Sequence, residues 1–381
     1  MNGKRVLFIE DRIPYRFLGA GFPRTNKILS SLVDLGYRVT FYSLKKDEYP
    51  EFFLKYQSIL PSVDFIIGKR YKKNGLESYI KNNGKNFDIL LISRPGNMSF
   101  LQTILKDNKS YLNSDTKLIY DAEAIVSLRD IQERGLQGEA ISNEDKLKMT
   151  ETELKSAKIA DCVWAVSESE RNIFIDHDFD PNNVKVIGYT ADIRVTNVGF
   201  KDRENLLFVG AIHGDNTPNA HSINWFNGFV LPTILKEIPN IKLDIVGINS
   251  SPLVKSLENN SLVMHGRVGN TNNFYDNARV FIAPTQFAAG IPLKIIEAAA
   301  KGVPIVTTSI IAKLIGWEDG KELLSGDTAE DFAKKCIELY ANSSLWNYIR
   351  ENAYSRIKLE YSELSFKKSL KYGLGMKYSG E

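Results

Sequence analysis

Residues 283–308 read APTQFAAGIPLKIIEAAAKGVPIVTT. An apolar run ends at Ala283, a loop leads to Gly290, and Pro292 stands where a helix opens. Proline suits the first helical position, because its φ is preset and the amide it lacks has no partner there. The helical pattern continues to about Lys301 and stops at Gly302, and residues 305–308 (IVTT) begin the next strand at once. Strand, loop, helix and strand in that order form a parallel crossover unit. Its loop lies at the carboxyl end of a strand, where open α/β sheets take their ligands.

Outward from this unit the same alternation covers the chain. Residues 5–10 (RVLFIE), 38–43 (RVTFYS), 88–93 (DILLIS), 117–121 (KLIYD) and 162–166 (CVWAV) are short apolar runs with little polar alternation. Such runs read as strands buried on both faces. Between the first two, Ile28, Leu29, Leu32, Val33 and Leu35 recur at helical spacing, and Gly36 ends the helix. The second half starts the pattern afresh: 206–210 (LLFVG), a helix around 219–237, then 242–246, 262–265, 280–283 and 305–308. The expected class is α/β, with two Rossmann-like domains facing a cleft, the first over 1–190 and the second over 200–360. Residues 189–204, mixed in polarity and weakly periodic, read as the linker. A helical stretch over about 361–381 can cap either domain, including by packing back on the first.

The composition is that of a chain that folds without staples: 381 residues, 43% hydrophobic and 25% charged. Lys plus Arg number 49 against 46 Asp plus Glu, and a net charge of +3 excludes a nucleic-acid binder acting through bulk charge. Cys162 and Cys336 fall on separate apolar segments, which excludes a disulfide framework or a structural zinc site and suits a reducing, cytoplasmic setting. No run reaches the length of a membrane span, and the N-terminus lacks a signal-peptide pattern, so a soluble protein is expected. The chain has no Walker loop, no G-x-S-x-G elbow and no G-x-G-x-x-G after its first strand.

At the helix that opens after Gly290, the amides of Gly290, Ile291 and Leu293 are expected to be unpaired and to suit a phosphate. Lys294 in the first turn opposes the helix dipole, which makes sense where an anion faces it. Glu297 shares its face, among Ile295, Ile296, Ala298, Ala299 and Ala300, and a carboxylate there suits the paired hydroxyls of a ribose. A plain Lys–Glu helix pair, worth about 0.2–0.5 kcal/mol, accounts for the spacing equally well.

The run 290–308 resembles the donor-binding segment of GT-B glycosyltransferases, most closely the family-4 (group 1) type. Residues 207–210 with His213, Pro218, Asn219, Trp225 and Phe226 match the opening of that group's second domain. Residues 244–247 (DIVG), Gly266, Arg267, Val268 and 275–284 follow in the same order. Earlier, Gly19, Ala20 and Gly21 resemble the glycine loop of the acceptor domain, and 119–123 (IYDAE) with Arg129, and 165–170 (AVSESE), have counterparts. The resemblance thus extends over nearly the full chain.

It implies transfer of a hexosyl or deoxyhexosyl group from a nucleotide-diphosphate sugar to a glycan or lipid-linked acceptor. Retention and a place in cell-surface polysaccharide biosynthesis, of O-antigen or capsule type, are implied with it, and no metal or other cofactor. By the same resemblance Glu297 holds the ribose, Lys294 meets the diphosphate and His213 reaches the phosphates. Gly290 and Ile291, with Leu293, cradle the diphosphate or the sugar, while Gly247 and Val268 flank the base beside Arg267. Gly19 and Gly21 admit the donor sugar and phosphates, and Asp121 and Glu123 serve as base or orienting group for the acceptor. A helix cap is the plainer reading of Asp121. Two positions depart from the pattern. Ala289 stands eight residues before Glu297, where retaining members carry a glutamate, and 211–215 reads AIHGD in place of an Arg–Lys pair. These departures keep in view a nucleotide-sugar 2-epimerase of the same fold and a non-catalytic GT-B interaction module.

The D-x-D in 176–180 precedes Pro181 and reads as a turn, with His177 a surface residue. His221 and His265 have no second ligand at metal spacing. Trp225 reads as packing against the sheet, and Arg129 as a partner of Glu133 at helical spacing. Lys69, Arg70, Lys72, Lys73, Lys81 and Lys85 stand against Glu77 alone, which reads as a solvated face or as a patch for peripheral contact with an anionic membrane.

Overall fold

In the computed structural model, which describes residues 3–18, 21–68, 72–106, 108–194 and 196–376, the apolar runs form the middle of two parallel sheets. The first sheet holds β1 (Arg5–Glu10), β2 (Arg38–Ser43), β3 (Val63–Ile66), β4 (Ile89–Ser93), β5 (Lys117–Asp121), β6 (Cys162–Ala165) and β7 (Val184–Val186). Their spatial order is β3-β2-β1-β4-β5-β6-β7. The second holds β8 (Asn205–Val209), β9 (Leu243–Val246), β10 (Leu262–Gly266), β11 (Ala278–Ala283), β12 (Ile305–Thr307) and β13 (Leu324–Ser325), in the order β10-β9-β8-β11-β12-β13. This is the GT-B architecture of two Rossmann-like sheets.

Burial on both faces explains the lack of alternation in the central strands. Every residue of β4 is buried. In β8, Leu206 and Phe208 enter one apolar cluster while Leu207 enters the cluster on the opposite face, so successive side chains all need to be apolar. β3, β7 and β13 are edge strands beyond those expected; they are short and less apolar. Helix starts are fixed by side-chain oxygens that accept first-turn amides, as at Ser142, Ser167, Thr217 and Thr328.

The chain divides into two compact units: Met1–Leu128 with Ala140–Gly188 and Lys367–Glu381, and Arg129–Glu139 with Tyr189–Phe366. The chain passes from one unit to the other at Gly188–Tyr189, with two further excursions. Residues 129–139 group with the second unit, and the helix Glu363–Gly373 carries the chain back to the first. There the Trp164 indole donates to the Gly373 carbonyl at 3.3 Å. A Cβ on Gly373 would lie 2.8 Å from Ile187 Cδ1 and from Trp164 Nε1, so glycine alone permits the approach.

Both sheets reverse strand order once, between β1 and β4 and between β8 and β11. The carboxyl ends of strands at such a reversal are where doubly wound sheets take ligands. In the first unit that place is occupied by Glu10, the last residue of β1, and Arg94, which follows β4. In the second it is the loops after Val209 and Ala283.

Candidate active site

In the second unit the loop after β11 is anchored from below. Thr307 donates to the Ala283 carbonyl at 2.9 Å, Thr308 to the Thr285 carbonyl at 2.5 Å, and Ser222 to the Thr285 hydroxyl at 3.2 Å. Gly290 then takes a left-handed φ of 77°, and the helix spans Leu293–Ala300. Pro292 precedes that helix as its cap residue, one position earlier than the sequence suggests. The Leu293 amide donates back to the Ile291 carbonyl at 2.9 Å, so it is not the free donor expected of it: the tight turn before the helix uses it internally.

Lys294 reaches across to β8 and to the start of the helix Pro218–Trp225. Its ammonium donates to Asn219 Oδ1 at 2.5 Å and lies 4.6 Å from the centroid of the Phe208 ring. Asn219 is held by its own amide, which donates to the Ala211 carbonyl at 2.8 Å. Among the described residues no carboxylate pairs with Lys294, and burial lowers its pKa to about 8. The plain helix pair with Glu297 is therefore not what forms. Glu297, one turn on, is half-buried and accepts from the Tyr189 hydroxyl at 3.4 Å.

The flanking candidates take distinct places. His213 is exposed in the loop after β8. Gly247 has φ 141°, and a Cβ there would lie 2.3 Å from the Gly210 carbonyl oxygen, which makes glycine obligatory where β8 and β9 end together. Its amide is already given to the Gly266 carbonyl at 2.9 Å. Arg267 is exposed, and Val268 packs on the apolar cluster that includes Val246 and Tyr275.

In the first unit Gly19 lies outside the described residues, but Gly21 is informative. A Cβ on Gly21 would fall 1.1 Å from Glu123 Oε1, so the glycine admits the Glu123 carboxylate. That carboxylate makes a two-pronged pair with Arg94, at 2.7 Å and 3.1 Å, and Arg94 also donates to Glu10 at 2.6 Å. Burial, opposed by Arg94 and reinforced by Glu10 and Asp121, raises the Glu123 pKa to about 8. Arg94 and Glu123 are both non-glycine residues with left-handed backbone, φ 79° and 61°.

Asp121 departs from the role expected of a base or a helix cap. Its side chain is fully buried, with Oδ2 accepting from Arg24 at 2.8 Å and Ser93 at 3.0 Å. A carboxylate so enclosed fixes Arg24, which in turn holds the Ile187 carbonyl at 2.7 Å. Arg129 pairs with its neighbour Asp130 at 3.3 Å rather than with Glu133. His177 is half-buried, its Nδ1 2.7 Å from the Ile173 carbonyl, beside a turn in which Asp180 accepts the Asn182 amide. His265 meets Asp244 at 2.7 Å, and Trp225 packs edge-on against Phe332. Among the described residues no three His, Cys, Asp or Glu side chains assemble as a metal-binding group.

Glu10, Arg94, Asn219 and Tyr189 escaped the sequence reading as site residues. Glu10 carried a signal, a charge ending an otherwise apolar central strand.

Residues 203–342 match the family model described as group 1 glycosyl transferases. That stretch lies within the second unit and is similar to the group 1 glycosyl transferases. The chain is 30% identical over 166 residues to an uncharacterized 44.6 kDa protein in the cps region of Klebsiella pneumoniae, covering 41% of the chain and 42% of that relative. It thus spans less than half the length of that relative. It is 25% identical over 299 residues to the capsular polysaccharide biosynthesis glycosyltransferase CapM of Staphylococcus aureus, covering 69% of the chain and 77% of the relative. Among solved structures, Anabaena HepE in complex with UDP and glucose superposes with a TM-score of 0.68 at 13% identity, over 98% of this chain and 99% of that one. At that identity the likeness speaks for the GT-B fold. No helix among the described residues is long and apolar enough to cross a membrane.

Proposed function

We propose that this chain transfers a hexosyl or deoxyhexosyl group, with retention, from a nucleoside-diphosphate sugar to a glycan or lipid-linked acceptor in capsule-like polysaccharide assembly. The observation that carries this reading is Lys294, a desolvated cation without a carboxylate partner among the described residues, at the strand-order reversal of the second unit. Holding an ammonium out of water is costly unless an anion joins it. A diphosphate seated at the start of the helix Leu293–Ala300 supplies that anion, and the helix dipole adds to the attraction. Glu297, one turn further, then receives the ribose hydroxyls, with Tyr189 steadying the carboxylate. Gly247, Arg267 and Val268 border the base, His213 is free to swing toward the phosphates, and Gly290 and Ile291 lie against the sugar.

In the transfer, the bond from the anomeric carbon to the diphosphate oxygen breaks and a bond to the acceptor oxygen forms. The acceptor proton passes to the departing phosphate oxygen, with Glu123 orienting the hydroxyl. Lys294 stabilises the charge that grows on the leaving group, fixed in place before the reaction, which is the efficient form of electrostatic catalysis. In this reading fixed protein charge carries that task, and transfer survives chelators.

The relative CapM, named for capsular polysaccharide biosynthesis, supports a polysaccharide acceptor, and the UDP complex makes UDP the first nucleotide to try. For a lipid-linked acceptor the exposed Lys73, Lys81 and Lys85 of the first unit offer contact with anionic headgroups; Lys69 and Arg70 lie outside the described residues. Salt-sensitive binding to phosphatidylserine vesicles, lost on reversing Lys73 and Lys81, tests that part.

The deciding experiment is a thermal-shift panel of nucleoside diphosphates followed by product analysis with the matching sugar nucleotide. Stabilisation by one diphosphate, lost in Lys294→Met, and a glycosylated product are expected. Conversion of the sugar nucleotide without acceptor marks an epimerase, and failure of every diphosphate to bind marks an interaction module.

A further inference from the structure

We propose that Gln132 is a positioning residue for the donor sugar: from the segment 129–139 it fixes the backbone of the loop after β11, at the place where Ala289 stands instead of a glutamate. The inference rests on the glycosyltransferase reading above and adds one residue at the sugar end of that site.

The loop cannot hold itself through its own side chains. From Phe287 to Ile291 it reads FAAGI, with no polar side chain. It is tied at Thr285 by Thr308 and Ser222, and regular structure resumes at Leu293. Between these points the Ala288 amide donates to Gln132 Oε1 at 2.9 Å. Among the described residues no hydrogen bond is seen at the amides of Gln286, Phe287 and Ala289. Gln132 lies on the helix Val126–Leu136, whose residues from Arg129 onward belong to the second unit, as Ala288 does. A second contact acts one residue earlier. The Phe287 ring is buried and meets the His221 ring edge-on, with centroids 5.4 Å apart. His221 stands on the helix Pro218–Trp225, which also carries Asn219, the partner of Lys294. Burial lowers the His221 pKa against the pull of Glu133, the neighbour of Gln132, so the imidazole packs as a neutral ring. Two helices thus grip Phe287 and Ala288 in succession.

Ala289, Gly290 and Ile291 come directly after the grip, and in the functional reading Gly290 and Ile291 lie against the sugar. With a methyl group at 289, this stretch has only backbone amides and carbonyls to offer a sugar hydroxyl. The preceding peptide sets the direction in which those groups point, and Gly290, at a left-handed φ of 77°, has no side chain to limit its rotation. Without the Ala288 anchor the loop is free to turn, and the sugar has to order it on binding. Lys294 grips the diphosphate from the neighbouring helix and does not depend on Gln132. The loss therefore falls on the sugar end of the site.

The test uses the full chain as wild type, Gln132→Met and Gln132→Glu. Methionine keeps the volume and removes the acceptor, whereas glutamate keeps an acceptor oxygen at the same reach. Hydrogen exchange, read by mass spectrometry on peptides spanning 284–292, is expected to show one amide exchanging at least about tenfold faster in Gln132→Met and restored in Gln132→Glu. Titration calorimetry then compares UDP with UDP-glucose, GDP with GDP-mannose and dTDP with dTDP-glucose, and the pair that binds is carried forward. In Gln132→Met the diphosphate Kd stays within about twofold, while the ratio of sugar-nucleotide to diphosphate affinity falls about fivefold or more. Gln132→Glu returns that ratio to within about twofold of the wild type, and Tm stays within about 2 °C in both variants. Equal loss of diphosphate and sugar-nucleotide affinity, unchanged exchange in Gln132→Met, or a Gln132→Glu that behaves like Gln132→Met overturns the proposal. If the wild type binds a diphosphate and the ratio is unmoved in Gln132→Met, this inference alone falls. If the wild type binds none of the three diphosphates, the functional reading falls and takes this inference with it.

Discussion

Replacing Lys294 by Met separates a structural lysine from one held ready for a ligand. Burial lowers its pKa from an ordinary 10.5 to about 8, which at about 1.4 kcal/mol per pH unit amounts to about 3 kcal/mol spent on desolvating the ammonium. Methionine fills similar volume without the charge and recovers that cost. It forfeits the charged hydrogen bond to Asn219, about 1.5 kcal/mol, and the contact with the Phe208 ring, about 0.5 kcal/mol. The balance is a gain of about 1 kcal/mol, read as a rise in Tm of about 2–4 °C for a unit of this size. The same variant loses diphosphate affinity by about 100-fold, the effect of about 3 kcal/mol of lost charge pairing. Linkage gives a second signature. The folded-state pKa lies below the unfolded value, so the wild type gains stability relative to Lys294→Met as pH rises from about 8 to 10.5. Diphosphate affinity falls over that window, because the bound anion requires the ammonium. Scanning calorimetry and titration calorimetry at pH 7, 8.5 and 10 provide the readings. A variant destabilised by more than about 2 kcal/mol with unchanged diphosphate affinity would refute the argument, since the lysine would then be a prop.

Glu297→Gln keeps the volume and the Tyr189 contact but removes the charge; kcat is expected to fall by about 100-fold or more in a donor-consumption assay, with Tm within about 2 °C of the wild type. Gly21→Ala forces Glu123 off Arg94, a loss of about 3 kcal/mol in urea denaturation, and the same change in a Glu123→Ala background is expected to cost under about 1 kcal/mol. Equal costs in the two backgrounds would show that the glycine serves something else. Because the Glu123 pKa is raised from 4.5 to about 8, its contribution to stability is complete below pH 4.5 and is lost as pH rises through 8; Glu123→Gln flattens that slope in denaturation series.

The central strands were legible because burial on both faces leaves an apolar run that nothing else in a water-exposed chain produces. β1, β2 and β5 begin and end where residues 5–10, 38–43 and 117–121 suggest. The edge strands β3, β7 and β13 face water and mix polar with apolar residues, as in VDFI at β3, so the signal fades. Lys294 was visible as a cation at the wrong end of a helix, whereas its partner Asn219 is 75 positions away and only the fold joins them. Asp121 and Glu123 show the same limit. Two residues apart and chemically alike, they differ because β5 ends between them: Asp121 stays in the sheet and is enclosed with Arg24, while a left-handed residue turns Glu123 outward over Gly21.

The return of helix Glu363–Gly373 to Trp164 also sets the order in which this polypeptide can be completed. During vectorial synthesis the amino-terminal half emerges early, yet the helix that covers Trp164 is encoded more than 170 residues downstream of β7. The second unit needs nothing encoded after residue 366 and can close without this helix, leaving the Trp164 indole uncovered until translation passes residue 373. A released chain that ends at residue 362 should therefore show a protease-resistant second half and a protease-sensitive first, the reverse of the usual polarity of nascent chains.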